Sequence, residues 1–274
     1  MMSPKALGGP PLDSPSNPGA LEGLADWLTR DNDQFIRNLA NRIWAHLIGR
    51  GVVDPVDDFR ESNPPSNPEL LGELSRAFRQ GGMRPKPLAR LILNSATYQL
   101  AARPDPTSGD DDSQFARAIV KPLPAEVLQD AIGQALDLPE RYSQAPPGSR
   151  ATQLAGVRAG GDFLRVFGKP ERLLSCECER SEATSLAQAF QLVNGESVRS
   201  KLADPGNRIG KALGAGTEDH RLLEDLYLAS LSRFPTVDES EPLLNHVRSA
   251  GDRRKAWEDI AWALLNSKEF LLRH

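Results

Sequence analysis

Apolar residues recur every three or four positions through most of the chain, which is the spacing of one face of an α-helix. The broadest such stripe is made of Phe35, Ile36, Leu39, Ala40, Ile43, Trp44 and Leu47. Asp31 or Asn32 is suited to cap the start of this helix, and Gly49 or Gly51 to end it. The pattern therefore predicts a long, well-buried helix in the first third of the chain.

Similar stripes predict further helices, at residues 20–29, 85–100 and 124–138 and repeatedly after residue 181. Asn67 followed by Pro68 is a typical helix start, and Thr236 with Glu239 has the spacing of a capping box. Strict alternation of apolar and polar residues is missing from the last two hundred positions. The fold class that follows is all-α, as an irregular multi-helix bundle with long loops rich in Pro and Gly.

Proline and glycine also suggest how the chain is divided. Residues 1–18 form a Pro-rich lead-in, and residues 103–112, which are rich in Pro, Gly, Ser and Asp, have the composition of a linker. We therefore expect an N-terminal helical part at 19–102 and a C-terminal helical part at 113–274.

Charge and hydropathy exclude some classes of function. Lys and Arg number 33 against 37 Asp and Glu, which gives a net charge of -4 and no basic field for nucleic acid. No window is long and apolar enough to span a membrane, and residues 1–18 lack the apolar core of a secretory signal. Read as a complete protein, the chain is expected in the cytoplasm.

Chemically able side chains concentrate in residues 41–60. His46, Asp57, Asp58 and Arg60 are the candidate catalytic residues. The candidate binding residues beside them are Asn41, Arg42, Trp44 and Arg50. Arg42, His46 and Arg50 fall along one helical strip, so they could face the two acids and form a pocket for an anionic or sugar ligand. The alternative is that Arg42 and Arg50 pair with those acids and pin the loop onto the helix.

Cys176 and Cys178 are the two cysteines of the chain. A Cys-x-Cys pair can bind a metal, although zinc normally takes four ligands, so the alternative is a buried, reduced pair. Glu179 and Arg180 follow directly and complete the set of candidate binding residues. No Cys-x-x-Cys-His motif occurs, so covalent haem attachment is excluded and no cofactor is expected.

Two tryptophans on the last predicted helix, Trp257 and Trp262, allow two interpretations. Both can pack in the core or at its edge. The alternative is that they form a platform on which a sugar ring stacks.

A series of motifs occurs in an order that is typical of one family: PKALGG at 4–9, LADWLT at 24–29, NRIWAH at 41–46, ILNSATYQ at 92–99, LPAEVLQDA at 123–131, FGKP at 167–170, CECER at 176–180, LVNG at 192–195 and WALLNSKEF at 262–270. Together they resemble the PSD-one domain of planctomycete and related bacterial proteins, the domain-of-unknown-function family fifteen fifty-three. The resemblance covers nearly the whole chain, which implies that the two helical parts form one family domain. It implies no established activity.

The resemblance also implies a context, because members usually carry this domain at the C-terminus of an exported protein, after a companion domain. A companion domain or protein encoded upstream is therefore an expected partner, and the location would be periplasmic or extracellular if the chain is such a C-terminal piece. The favoured function is a non-catalytic assembly or ligand-recognition module. The alternatives are an enzyme of unknown class that acts on complex carbohydrate, and a metal or redox site at Cys176 and Cys178.

Overall fold

The computed structural model describes residues 20–29, 32–102, 112–143, 145–154, 161–169, 188 and 195–273. Within these residues nearly all regular structure is helical, and the single sheet has two strands of two residues each. The predicted all-α, multi-helix fold is therefore confirmed. The described chain divides into two compact units, one within residues 1–120 and the other within 121–273. The linker predicted at 103–112, of which only Asp112 is described, stays a prediction.

The first unit contains α1 (Ala20–Thr29), α2 (Asp33–Ile48), α3 (Pro68–Gln80) and α4 (Pro85–Leu93). Helix α2 packs against α3 and α4 around a core whose buried members are Ile36, Ala40, Trp44, Ile48, Val52, Val53, Leu71, Leu74, Phe78, Leu88, Ile92 and Phe115. The indole of Trp44 meets the ring of Phe115 edge to face, with centroids 5.2 Å apart. The stripe predicted on α2 thus forms one wall of this core.

Local capping explains where these helices begin and end. The side chains of Asn32 and Asn67 accept hydrogen bonds from Phe35 N and Leu70 N, as the sequence predicted. Gly49 ends α2 in the left-handed region, at a φ of 111°. Helix α4 ends at Leu93, and the expectation that it continues to residue 100 was wrong. Ser95 Oγ donates to Ile92 O at 2.7 Å and accepts from Tyr98 N at 3.2 Å, so turns replace the helix.

The second unit begins with β1 (Lys121–Pro122), α5 (Ala125–Ala135), a 3-10 turn (Ala151–Gln153) and α6 (Gly161–Val166). It continues with α7 (Glu196–Ala203), α8 (Arg208–Gly214), α9 (Asp219–Leu231), α10 (Val237–Ser249), α11 (Arg253–Leu265), α12 (Lys268–Leu271) and β2 (Leu272–Arg273). Strands β1 and β2 pair antiparallel, with Lys121 opposite Arg273. The predicted capping box of Thr236 and Glu239 opens α10.

Helix α11 is the centre of this unit and packs against α7, α8, α9, α10 and α12. Its Trp257 is completely buried, in a core that also contains Leu164, Ile209, Leu222, Leu223 and Leu265. Several helices pack against the buried side of α11 and each needs an apolar face towards it, which accounts for the repeated leucine stripes after residue 195. Among the described residues, none of the helices has the length and apolar character needed to cross a membrane.

Candidate functional site

The loop that follows α2 is held against the helix by Asn41, a candidate binding residue. Its side chain is 0% exposed, and its Nδ2 donates to Val53 O at 2.9 Å and to Val56 O at 3.0 Å. Its Oδ1 accepts from Val53 N at 3.0 Å. Gly51 lies so close that a Cβ there would stand 2.1 Å from Val53 O. The amide of Asn41 therefore satisfies backbone groups of the loop, which itself contributes Val52 and Val53 to the core.

Arg42 and Asp57 form a bidentate ion pair between α2 and this loop. Arg42 Nε donates to Asp57 Oδ1 at 2.8 Å, and its terminal nitrogen donates to Oδ2 at 2.5 Å. Asn38 Nδ2 donates to the same carboxylate at 3.3 Å. The Arg42 guanidinium holds the pKa of Asp57 below its usual value, against a smaller opposing effect of burial. This is one of the pairings that the loop-pinning interpretation predicts.

Asp58 and Arg60 form a second bidentate pair within the loop. Arg60 Nε and its terminal nitrogen donate to the two carboxylate oxygens of Asp58, both at 2.6 Å. This pairing lowers the pKa of Asp58 and raises that of Arg60. Asn63 Nδ2 donates to Asp58 O at 2.8 Å and steadies the turn. The two predicted catalytic acids thus have different partners.

The other candidate residues on α2 and just after it differ in burial and in contacts. Trp44 is buried, and no hydrogen-bond partner for its Nε1 occurs in the described part of the chain. His46 lies on the exposed face of the helix, one turn after Arg42. Arg50 has its Nε 3.6 Å from Asp54 Oδ2, so its partner is a third acid that the sequence analysis did not consider. The strip of Arg42, His46 and Arg50 is therefore divided among separate contacts.

The remaining candidates, Cys176, Cys178, Glu179 and Arg180, lie outside the described residues. Within the described ranges, no group of three or more His, Cys, Asp or Glu side chains is placed to hold a metal ion. The proposed metal or redox site at the two cysteines stays a prediction.

A second candidate site, which the sequence analysis missed, is an open cleft of about 290 Å³ between α7 and α11. Helix α7 lines it with Glu196, Arg199, Ser200, Leu202 and Ala203, and all of these but Leu202 are spaced three, one and three apart. Helix α11 lines it at the same spacing with Lys255, Glu258, Asp259 and Trp262. This spacing places each set on one helical face. The spacing can be read from the sequence, but the packing of these two faces against each other cannot.

The two tryptophans of α11 have different surroundings. Trp257 is buried in the core, as one interpretation predicted, whereas Trp262 is partly exposed and lines the cleft. They lie five positions apart, so they point to different sides of the helix. The two tryptophans therefore do not form a joint platform.

The described chain is thus an all-α protein of two helical units, with a loop pinned by charge pairs in the first and a mixed-charge cleft in the second. The family model PSD1, described as a protein of unknown function (DUF1553), matches residues 21–247, and the chain belongs to this family. No curated protein and no solved structure matches the chain.

Proposed function

We propose that the chain is a non-catalytic module that serves in assembly or ligand recognition within an exported bacterial protein. The observation that carries this proposal is the engagement of both predicted catalytic acids in bidentate pairs with arginine. The context of an exported protein rests on the sequence resemblance described above.

General acid-base catalysis at neutral pH favours a group whose pKa lies near the working pH. A carboxyl group reaches that range through burial or a neighbouring like charge, both of which raise its pKa. The pKa values of Asp57 and Asp58 are instead lowered, mainly by Arg42 and Arg60. Both acids are therefore ionised at neutral pH, with their oxygens directed at guanidinium groups, which suits a structural role.

The candidate binding residues support the same conclusion. All three hydrogen bonds of the Asn41 side chain go to the backbone of its own loop. The guanidinium of Arg42 uses two nitrogens on Asp57. Groups committed in this way hold the loop in place, and a ligand would have to displace those bonds to reach them.

A pair of variants tests the proposal. We expect Asp57→Asn to lower the free energy of unfolding by about 1 kcal/mol, as for a partly exposed ion pair, because Arg42 loses its charged partner. Glu61→Gln, an exposed acid in the same loop, is the matched control and should leave stability unchanged. Both proteins and the wild type are incubated with a panel of soluble polysaccharides, and released products are measured by chromatography.

The expected result is no product from any of the three proteins. A turnover activity that disappears in a fully folded Asp57→Asn protein, and persists in Glu61→Gln, would contradict the proposal. That outcome would favour an enzyme acting on carbohydrate at the α2 loop.

A further inference from the structure

Hydrogen bonds join the two helices that form the cleft, α7 and α11. Arg254, behind the cleft, donates from one terminal nitrogen to Leu202 O at 3.4 Å, Ala203 O at 3.2 Å and Asp204 O at 3.0 Å. These bonds tie the first turn of α11 to the carbonyl end of α7. Asn207, which is fully buried, donates to Lys201 O at 2.9 Å and Leu202 O at 2.8 Å. The carbonyls of Lys201, Leu202 and Ala203 at the end of α7 thereby have partners, and the bonds from Arg254 join the two helices at one end of the cleft.

The charges of the lining nearly cancel. Glu258 is only 14% exposed, and Arg254 Nε donates to its Oε1 at 2.9 Å, while Lys255 Nζ lies 3.6 Å from its Oε2. The more exposed lining groups are two cations, Arg199 and Lys255, and two carboxylates, Glu196 and Asp259. A lining of this kind gives no net field that would attract a strongly anionic or cationic ligand.

Polar groups of both signs next to an aromatic ring suit one kind of neutral ligand. Carboxylates accept hydrogen bonds, and guanidinium and ammonium groups donate them, so hydroxyl groups can be satisfied on either wall. Trp262, which is partly exposed and also packs against the core, adds an aromatic side chain of the kind on which the carbon-hydrogen face of a sugar ring can pack. The volume of about 290 Å³ is just below the range of ligand pockets, which run from about 300 to 1,000 Å³, so the cleft suits only a short ligand.

We infer that the α7–α11 cleft binds a short stretch of neutral carbohydrate, one or two sugar rings long, with Trp262 as its apolar contact. This inference rests on the ligand-recognition role proposed above and names the class of ligand. It places recognition in the second unit, apart from the residues first considered as a site.

Titration calorimetry with the full chain tests the inference. The probes are the neutral disaccharides cellobiose, maltose, xylobiose and diacetylchitobiose, set against galacturonic acid, glucosamine and the zwitterion glycylglycine. We expect at least one neutral disaccharide to bind with a dissociation constant of about 1 mM or tighter, and the charged probes to bind more weakly. Trp262→Ala should weaken the binding about tenfold or more, because the apolar contact is lost.

Two controls keep the result interpretable. Trp27→Ala removes a partly exposed tryptophan from α1, in the other unit, and should leave binding unchanged. Ser200→Phe fills the cleft from the exposed side of α7 and should abolish binding, whereas Ala263→Phe adds the same ring to an exposed position of α11 that does not line the cleft. If Trp262→Ala does not fold, the comparison of Ser200→Phe with Ala263→Phe shows whether the cleft is the binding site.

The inference is overturned if no neutral disaccharide binds, if a charged probe binds best, or if a folded Ser200→Phe protein binds as well as the wild type. Chromatography of the same samples distinguishes a failure of this inference from a failure of the broader proposal that the chain is non-catalytic. Cleavage of a bound sugar would contradict the non-catalytic role and leave the cleft as the binding site. A lack of binding would contradict the cleft as a carbohydrate site and leave a role in assembly.

Discussion

The side chain of Asn41 bonds to Val53 as one strand residue bonds to another: it accepts from Val53 N at 3.0 Å and donates to Val53 O at 2.9 Å. Both backbone groups of Val53 are thus satisfied by a single amide at a position where the valine itself is buried. Water cannot replace the amide there, so the fold of the loop depends on this residue.

We expect Asn41→Ala to destabilise the first unit by about 3 kcal/mol, because three hydrogen bonds are lost and buried backbone groups remain unpaired. Amide hydrogen exchange at Val53 is the direct measurement and should become much faster. Asn41→Asp should be no better than alanine, since a carboxylate oxygen would face the carbonyls of Val53 and Val56. Asn38→Ala, which removes one bond of 3.3 Å, is the control for losing an amide on α2. A Val53 amide that stays protected in Asn41→Ala would rule out this role.

Gly51 and Gly72 form a second matched pair. At Gly51 a Cβ would meet Val53 O at 2.1 Å and Asn41 Nδ2 at 3.0 Å, whereas at Gly72, within α3, nothing lies within 4 Å of it. Gly51→Ala should therefore cost about 3 kcal/mol or more, because the carbonyl of Val53 must move away from Asn41. Gly72→Ala should raise stability by about 0.5–1 kcal/mol, because alanine favours the helix. Urea denaturation measures the change in the free energy of unfolding of each variant. Equal changes in the two variants would be inconsistent with the close approach at Gly51.

Acid should weaken the second unit through Glu239. Arg233 bridges Glu239 and Glu269, with four nitrogen-oxygen distances between 2.7 and 2.8 Å, and lies over the ring of Tyr227. Mainly because of Arg233, the pKa of Glu239 falls from 4.5 to about 2.

A pKa that is lowered by folding stabilises the protein above the unfolded value, and the stabilisation is lost as pH falls through the folded value. The stability difference between wild type and Glu239→Gln should therefore be constant above about pH 6 and shrink from about pH 4.5 towards 2. Thermal unfolding at a series of pH values measures it. Glu241→Gln, which removes an exposed acid from the same helix, is the control for the change in net charge, and a difference between wild type and Glu239→Gln that widens in acid would refute the assignment.

Asn207 should be as important in the second unit as Asn41 is in the first. Besides its two bonds to the end of α7, its Oδ1 accepts from Gly210 N at 2.8 Å and caps α8. Asn207→Ala is expected to cost about 2–3 kcal/mol, because a helix cap and two buried bonds are lost. Asn245→Ala, an exposed residue whose amide accepts from Arg248 at 3.3 Å, should change stability by less than about 0.5 kcal/mol. Denaturant titration compares the two, and similar losses would count against a special role for Asn207.

The sequence predicted well the helix ends that depend on residues close to each other along the chain. The bounds of α1, the caps at Asn32 and Asn67, the glycine end of α2 and the capping box at Thr236 depend on residues within one helical turn. Helix α4 ended early because the hydroxyl of Ser95 competes for backbone bonds, which apolar periodicity does not register.

The candidate site could be predicted only in part, because its chemistry depends on what each polar group faces. Asn41 and Arg42 lie on the helix that the apolar stripe predicted, but their residue types do not distinguish a ligand from a loop backbone. Arg50 pairs with Asp54, whereas the loop-pinning interpretation gave it Asp57 or Asp58 as a partner. The cleft could not be predicted, since Arg199 and Trp262 lie on helices whose packing is decided by the buried faces opposite.

The pairing of β1 with β2 has a consequence for how the second unit can be handled. Lys121 lies opposite Arg273, and Leu123 N donates to Leu271 O at 3.0 Å, so the path of the backbone through this unit starts and finishes at neighbouring points. A unit with this topology can be grafted into a surface loop of a carrier protein without spreading the two stems of the graft. For the same reason, a circular permutant that joins these points and opens the exposed turn at Gly251 should retain the α7–α11 cleft.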